Sequence, residues 1–483
     1  MTTTLLWFRR DLRLSDNPAL RAALKDANHL IPLYIHAPDE EAPWQPGGAS
    51  HWWLHHSLGA LDESLRKRGS KLLIAQGDSL AILKRITEQA KVNRICWNRL
   101  PEPANQRRDQ NLRETLTRLG IEVEEHEANR LIEGAPLMTG GGTPYRVFTP
   151  FWKAMQTHGF PQDRPTGAPK ILPSPPGKIA TSSLDSLKLL PNIGWDQGFY
   201  EAWKPGEAGA QRRFKQFLQK AIEDYPEWRD RPDLLGTSRL SPHLHFGEIG
   251  PRQLLQGIAA HRDEVSGRRG RGSDGTEWLR QLAWREFAAY LLEHFPDTDQ
   301  APYDSRFRDF PWRDRAQAQE QLERWQKGQT GIPIVDAGMR ELWHTGWMHN
   351  RVRMIVASLL TKNLGLHWLE GARWFWDTLV DADLANNGMG WQWCAGCGAD
   401  AAPYFRIFNP LRQGERFDPH GEYIRYWVPE IAGLPDRKLN TPWETEKKLL
   451  SGAGIRLGKD YPMPIVDLAA TRKSALERWE RIR

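Results

Sequence analysis

The sequence opens with the apolar run TLLWF (Thr4–Phe8), followed directly by RRDLRLSDNPAL (Arg9–Leu20). A short apolar run that ends at polar, turn-forming residues is typical of a strand buried in a parallel sheet. Four more runs of strand length follow, namely Leu30–Ile35, Lys71–Ile74, Arg94–Trp97 and Ile121–Glu125. Helix-patterned stretches separate them, among them Ser50–Arg68 and Gln106–Leu119. The alternation predicts a doubly wound, Rossmann-like α/β domain with a parallel sheet over residues 1–133, although the GxGxxG fingerprint after the first strand is missing.

The chain changes character after this domain. Residues 134–205 contain 11 of the 34 prolines, and proline interrupts helices and strands alike, so they predict a long connector. From residue 206, apolar residues recur at helical spacing in Trp278–Phe295, Ile334–His344 and Trp347–Lys362. The last stretch carries one stripe of Met348, Val352, Ile355 and Leu359 and a second stripe of Trp347, Asn350, Arg351 and Met354. We therefore expect an all-helical domain over residues 206–483, with the second stripe lining a pocket.

The composition indicates a soluble protein of 483 residues with a net charge of +6. No apolar run is long enough to span a membrane, and the N terminus lacks the features of a secretory signal. Three cysteines exclude a disulfide scaffold and fit a reducing compartment, so we expect a cytoplasmic location. Two basic clusters can attract polyanions but are equally typical of a solvated surface: Arg212, Arg213 and Lys215, and Arg268, Arg269 and Arg271.

Tryptophan is the unusual residue of this chain. There are 23 tryptophans, and eleven of them lie between Trp278 and Trp393. An indole buries a large area but needs a partner for its N–H group, which makes clustering costly as core filling. A tryptophan-rich core and a site that stacks planar rings are both compatible with this pattern.

Eight collinear motifs together resemble the photolyase/cryptochrome family, and most closely its bacterial cyclobutane pyrimidine dimer photolyases. They are WFRRDLRLSDNPAL (Trp7–Leu20), TPYRVFTPFW (Thr143–Trp152), GTSRLSPHLHFGEI (Gly236–Ile249), WREF (Trp284–Phe287), TGIPIVDAGMRELWHTGWMHNRVRM (Thr330–Met354), DADLANNGMGWQW (Asp381–Trp393), DAAPYFRIFNP (Asp400–Pro410) and FDPHGEYIRYWVPE (Phe417–Glu430). The resemblance implies FAD in the helical domain, light-driven repair of UV-damaged DNA, single- or double-stranded, and an N-terminal domain that often holds an antenna chromophore.

By resemblance, a set of residues surrounds the FAD: Tyr225, Thr237, Ser238, Arg239, Leu240, Ser241, Arg285, Asn350, Arg353, Asp381, Asp383 and Asn387. The hydroxyls and N–H groups of the loop from Thr237 to Ser241 can cradle a diphosphate, although the bare pattern is more often a helix N-cap. Arg353 and Asp381 are expected to pair beside the flavin ring, and a structural ion pair is the alternative. Asn387 is expected at flavin N5, where a neutral amide suits a reduced, anionic flavin. Without the resemblance, Asn386-Asn387-Gly388 is typical of a turn.

Two further groups of residues carry over from the resemblance. The lesion is expected between Trp284 and Trp393, since photolyases are among the enzymes that turn their target base out of the duplex. Met354 and Asn350 favour the cyclobutane dimer, Arg351 and Arg406 are expected at DNA phosphates, and Gln281 stands where cyclobutane-dimer enzymes commonly have Glu. Because the (6-4) branch uses Gln at that position, lesion specificity stays open. Trp391, Trp368 and Trp312 are expected to conduct electrons to the flavin, with Trp325 as the alternative to Trp312.

Other features leave alternatives open. Cys394 and Cys397 form a CxxC pair, but with only Cys96 elsewhere a Cys₄ iron–sulfur cluster is impossible, so we expect a structural thiol pair and no metal. The segment EPANQRRD (Glu102–Asp109) has Ala104-Asn105 where a folate pocket typically presents Asn-Glu, which leaves folate, deazaflavin or no antenna equally open. We expect a monomer. A cryptochrome-type photoreceptor is the rival reading, which the early end of the chain at Arg483 disfavours.

Overall fold

The computed structural model describes residues 2–132, 137–265, 275–401 and 405–483. Its N-terminal part is a sheet in which every strand pair is parallel, in the order β3-β2-β1-β4-β5. The strands are β1 Thr3–Phe8, β2 His29–His36, β3 Leu73–Gln76, β4 Arg94–Asn98 and β5 Glu122–His126. The predicted α/β domain is thereby confirmed, with β3 lying two residues further along the chain than its predicted position.

Helices connect the strands and build the rest of the described chain. The sheet is accompanied by α1 Pro18–Ala23, α2 Gly48–Arg66, α3 Ser79–Ala90 and α4 Pro103–Arg118. The following helices are α5 Phe148–His158, α6 Gln197–Ala202, α7 Glu207–Lys220, α8 Tyr225–Trp228, α9 Ser241–His245, α10 Pro251–Val265, α11 Thr276–His294, α12 Gln319–Gln326, α13 Pro333–Thr345, α14 Asn350–Ser358, α15 Trp368–Thr378, α16 Leu384–Ala395, α17 Pro410–Phe417, α18 Glu422–Trp427, α19 Asp436–Leu439, α20 Lys447–Gly452 and α21 Leu468–Glu480. The helical C-terminal part is confirmed. None of the described helices combines the length and the apolar character that crossing a membrane requires.

The strand β1 is buried on both faces, as a central strand of a doubly wound sheet must be. Leu6 and Phe8 pack into one hydrophobic core, whereas Leu5 and Trp7 pack into another on the opposite face. This alternation follows from the two-residue repeat of a strand.

The polar residues after β1 join the sheet to the helical part. The Arg13 side chain is fully buried and donates hydrogen bonds to the carbonyl oxygens of Gly247 and Ala128, both at 2.8 Å. Gly247 has φ 64°, and a Cβ there would lie 2.1 Å from the carbonyl oxygen of Arg10. Glycine is therefore required where the two parts of the chain meet.

The proline-rich connector is more ordered than its composition predicts. Helix α5 runs through it, because Pro150 occupies the first turn, where a missing N–H costs nothing. Phe151 of α5 packs against Phe287 of α11, with ring centroids 5.0 Å apart. Residues 148–158 thus belong to the core of the helical part, while the boundaries at 133/134 and 205/206 stay predictions.

The helix predicted over Trp347–Lys362 begins later than its apolar pattern indicates. His349 is the N-cap of α14, and its Nδ1 accepts from the N–H of Arg351 at 3.2 Å. Trp347 and Met348 therefore precede the helix, and the predicted stripes lose their first members. The helix ends in a single π turn, Leu359–Asn363, where the N–H of Leu364 donates to the carbonyl of Leu359.

Candidate active site

Asp383 and the residues after it open helix α16. The Asp383 carboxylate accepts from the backbone N–H of Asn386 at 2.9 Å and from its Nδ2 at 2.7 Å. Asn386 and Asn387 are thus in the first turns of a helix, and the alternative reading as a plain turn is wrong. Burial opposes ionisation of Asp383, but His245, at 3.5 Å, and the charge of Arg285 outweigh it and lower the pKa of this carboxyl. An ionised carboxylate at this helix end can accept a further hydrogen bond from a ligand.

The predicted ion pair between Arg353 and Asp381 is present. Arg353 Nη2 lies 2.8 and 3.0 Å from the two carboxylate oxygens of Asp381, which is 8% exposed. Its Nε donates to the carbonyl of Met348 at 2.8 Å, which holds the guanidinium in a fixed plane. A planar cation fixed beside a carboxylate suits the edge of a planar polar ring.

The two asparagines assigned to the flavin site differ in their surroundings. Asn387 is half-buried and donates from Nδ2 to the carbonyl of Ala372 at 3.0 Å, which orients its amide. Asn350 is exposed at the start of α14, with Nδ2 at 3.9 Å from the sulfur of Met354. Asn387 is therefore positioned by the fold, whereas the amide of Asn350 is exposed and contacts Met354 in its own helix.

The loop from Thr237 to Ser241 contains one residue in an unusual backbone conformation. Arg239 adopts φ 50°, a left-handed conformation unusual for a residue with a side chain. Ser238 Oγ accepts from the N–H of Leu240 at 3.4 Å, and Ser241 Oγ accepts from Trp347 Nε1 at 3.2 Å. Thr237 and Ser238 are half-buried, so they remain partly accessible to a ligand. Tyr225 is buried nearby in sequence, and burial raises its pKa to about 12, so its hydroxyl stays protonated.

Glu341 of α13 organises this region and was missed by sequence reasoning. It accepts from the hydroxyl of Tyr423 at 2.7 Å and from the N–H of His349 at 3.2 Å, and it lies 3.7 Å from Arg239. Burial raises its pKa, against the charge of Arg239. In the sequence, Glu341 was one residue of the Thr330–Met354 motif, and nothing in that motif indicated a separate role for it.

His349 supplies a second signal that a ligand belongs here. Burial lowers its pKa to about 3, so the ring is neutral near pH 7. Its Nε2 is buried and has no hydrogen-bond partner among the described residues. A buried polar atom without a partner costs free energy, which a bound polar group would recover. With the ionised Asp383 and the fixed Arg353, this arrangement fits a large polar cofactor such as FAD.

The two proposed lesion-binding aromatics are held differently. The Trp284 ring stacks on Phe148, with centroids 3.6 Å apart and planes 10° apart. Trp393 donates from Nε1 to the carbonyl of Asp400 at 3.2 Å, and the guanidinium of Arg406 lies 5.3 Å from its ring. Phe148 is fully buried in α5 and was not predicted to take part, because 136 residues separate it from Trp284.

Two other predicted residues make local contacts. Gln281 Nε2 donates to the carbonyl of Glu277 at 3.3 Å, one turn earlier in α11. Arg285 donates to the carbonyl of Asn129 at 2.9 Å, so this predicted cofactor residue bridges to the segment after β5.

The tryptophans predicted to conduct electrons lie in one region of the helical core. Trp391 and Trp368 are buried, and Trp312 is half-buried. The His367 ring lies between the last two, 5.1 Å from Trp312 and 5.6 Å from Trp368. Trp325, the alternative to Trp312, is 0% exposed, and its ring lies 6.2 Å from that of Trp391.

The comparisons with known proteins agree with this geometry. Residues 4–170 match the family model of DNA photolyase, and residues 278–481 match that of the FAD binding domain of DNA photolyase. A deoxyribodipyrimidine photo-lyase of Agrobacterium fabrum is 43% identical over 480 residues, or 99% of this chain and 98% of the relative. The chain belongs to the DNA photolyase family.

Two further members of the photolyase and cryptochrome group are similar to this chain. A class III photolyase from Agrobacterium tumefaciens, solved by crystallography, has a TM-score of 0.94 and 42% identity, covering 100% of this chain and 98% of that one. Cryptochrome-1 of Arabidopsis thaliana is 36% identical and covers 99% of this chain but 70% of the relative. Both similarities include residues 278–481, which match the model of the FAD binding domain of DNA photolyase.

Some of the basic residues that were predicted to contact DNA or other polyanions make contacts within the protein. Arg351 forms an ion pair with Asp230 at 2.8 Å and lies 4.4 Å from the ring of Phe417. In the first predicted cluster, the guanidinium of Arg213 lies 5.6 Å from the centroid of the Trp203 ring. The other two members, Arg212 and Lys215, are exposed. The second cluster, Arg268, Arg269 and Arg271, lies outside the described residues.

The CxxC pair has the environment of structural thiols. Burial raises the pKa values of Cys394 and Cys397 to about 12, which leaves both thiols protonated and unreactive. Lys362 is buried beside them, donates to the carbonyl of Ala395 at 2.5 Å and lies 3.1 Å from the centroid of the Phe405 ring. Burial lowers the pKa of this lysine well below its ordinary value.

Proposed function

We propose that this protein is a deoxyribodipyrimidine photolyase, a carbon–carbon lyase that splits cyclobutane pyrimidine dimers in UV-damaged DNA with light. The observation that carries the proposal is the full-length similarity to the Agrobacterium deoxyribodipyrimidine photo-lyase, which covers 98% of that enzyme. The proposal is also supported by Trp284, Trp393 and Met354, which occupy the positions of the lesion-binding residues in the family motifs.

FAD would be held by three groups of side chains. The hydroxyls of Thr237 and Ser238 and the guanidinium of Arg239 would hold its diphosphate. Asp383, Asn387 and the Arg353–Asp381 pair would hold its ring. When bound, FAD supplies light absorption and the electron that opens the cyclobutane ring. The amide of Asn387, oriented by its hydrogen bond to the carbonyl of Ala372, would offer no acidic proton to a ring bound beside it, because a neutral amide N–H is not acidic.

The lesion would be held by residues at the mouth of this site. Trp284 is backed by Phe148 and offers its other face to an unstacked pyrimidine, and Trp393 offers a second aromatic surface. Gln281 can donate to and accept from the pyrimidine edge but cannot transfer a proton to it. Arg351 and Arg406 would contact phosphates. Trp391, Trp368 and Trp312 would pass electrons to the cofactor when it is oxidised. An antenna chromophore, where one is bound, would be a folate or a deazaflavin.

The proposal is tested with purified, flavin-loaded protein and defined oligonucleotides. Blue light and a reductant should restore single-stranded and double-stranded DNA that contains a cyclobutane dimer, and (6-4) photoproducts should remain. Repair of (6-4) photoproducts alone would reassign the lesion. Absence of both repair activities, with normal flavin photoreduction, would favour the photoreceptor function suggested by the similarity to Cryptochrome-1. Chromatography and light scattering of the same preparation test the expected monomer, and fractionation of cells tests the expected cytoplasmic location.

A further inference from the structure

The strands β4 and β5 bring three different metal-binding side chains together at the edge of the sheet. Cys96 and Glu124 are direct partners in the parallel register, and His126 lies two residues beyond Glu124. Because side chains alternate along a strand, all three lie on the same face. One sulfur, one carboxylate oxygen and one ring nitrogen lie within 4.8 Å of one another.

The distance between the carboxylate and the imidazole of this group suits a tetrahedral ion. Glu124 Oε2 and His126 Nε2 are 3.2 Å apart. Two ligand atoms bound at 2.0–2.1 Å to one tetrahedral zinc ion lie roughly 3.3 Å apart. The carboxylate and imidazole are therefore already separated as two ligands would be, with the Cys96 sulfur as the third.

The other oxygen of Glu124 is held by a neighbouring cation. Arg94, two residues before Cys96 on the same face, lies 3.2 Å from Glu124 Oε1 and also donates to the carbonyl of Lys25. This contact leaves Oε2 directed at His126. Second-shell contacts of this kind orient metal ligands in known sites.

The burial of the group provides both a closed side and an entry path. Cys96 is 0% exposed and packs in the core below the sheet, whereas the side chains of Glu124 and His126 are 29% and 26% exposed. Burial raises the pKa of the Cys96 thiol to about 12, with smaller contributions from Glu124 and Glu122, so the thiol is protonated in the metal-free protein. A bound divalent cation would displace this proton and remain reachable from solvent for a fourth ligand.

We propose that Cys96, Glu124 and His126 form a binding site for a thiophilic divalent cation of the zinc type, which fastens the edge strand β5 to β4. Thiolate, imidazole and carboxylate together favour zinc over the harder calcium and magnesium ions. The strand β5 has few apolar contacts of its own, since its residues are exposed or half-buried. A metal ion bound by residues of both strands would therefore stabilise the pairing of β5 with β4. This site is separate from the proposed flavin and lesion sites and does not depend on them.

The test is a titration of the full-length, flavin-loaded protein with Co²⁺ and then Zn²⁺ after treatment with a chelator. We expect one equivalent of Co²⁺ to produce visible d–d bands and an ultraviolet thiolate-to-cobalt band, both removed by Zn²⁺. Zn²⁺ alone should raise the melting temperature. No cobalt bands at one equivalent would overturn the proposal.

Variants assign the ligands. Cys96→Ser should remove the thiolate band, and His126→Asn should weaken binding by about tenfold or more. Because Cys96 is buried and its replacement strains the core, His126→Asn provides the independent variant on the half-exposed side. Glu122→Gln is the matched control, since it removes a carboxylate of the same strand that is not a ligand, and it should bind Co²⁺ as the wild type does. A thiolate band that persists in Cys96→Ser would place the ion at the other cysteines and refute the site.

Discussion

The stacking of Phe148 on Trp284 leads to a sharp prediction about lesion binding. Phe148→Leu keeps a large apolar side chain in the buried position but removes the ring that lies 3.6 Å from Trp284. Stacked aromatic pairs contribute about 0.5–1.5 kcal/mol beyond their buried area. If this energy holds the indole in its binding orientation, its loss must be repaid when the lesion binds, and affinity for dimer-containing DNA falls roughly two- to tenfold.

The assay measures affinity in the dark by fluorescence anisotropy, with a labelled dimer-containing oligonucleotide and its undamaged counterpart. The ring of Phe148 contacts Trp284, Phe287 and the guanidinium of Arg280. The proposed phosphate contacts are Arg351 and Arg406, so the expected loss is confined to the damaged oligonucleotide. Photoreduction of the flavin should be unchanged, because the Trp391 region lies elsewhere in the helical core.

Phe151→Leu provides the matched control for this prediction. Phe151 lies on the same helix and packs on Phe287 at 5.0 Å and Tyr290 at 4.9 Å, away from Trp284. Both variants should lose comparable stability, but only Phe148→Leu should lose lesion affinity. Equal affinity in the two variants would refute the positioning role of Phe148.

Three further predictions concern electron transfer, pH and charge. Trp391→Phe should slow photoreduction strongly, because phenylalanine is harder to oxidise, while repair by pre-reduced enzyme persists; an unchanged rate in transient absorption would exclude Trp391. Burial raises the pKa of Glu127 to about 7 from 4.5, so the folded state holds its proton more tightly and loses stability as pH rises from 4.5 to 7. Glu127→Gln should flatten that slope in chemical unfolding, and parallel curves would contradict it. Asp230→Asn frees Arg351 from its ion pair, so DNA affinity should rise at low salt and the salt slope should steepen by up to about 0.9; an unaltered slope would keep Arg351 off the phosphates.

The sequence by itself determined the class of each part of the chain. The five strand-length runs and their intervening helices predict the parallel sheet, because hydrophobic periodicity is a local property that reports burial directly. The pairing of Arg353 with Asp381 was also predicted, from motifs whose side chains are charged and rarely buried alone. The limits of elements were less certain, and β3 and the start of α14 both moved by two or three residues.

Only the tertiary structure decided which distant residues share a surface. Phe148 meets Trp284 because α5 packs against α11, and no local pattern connects residues 136 positions apart. Glu341 became a central acceptor because α13 and α18 place Tyr423 against it. Trp325 and Trp312 carry the same side chain, yet the first is fully buried and the second half-buried. The sequence determines the chemistry of each side chain. The packing of the helices determines its burial and its partners, and burial and partners decide the role of the residue.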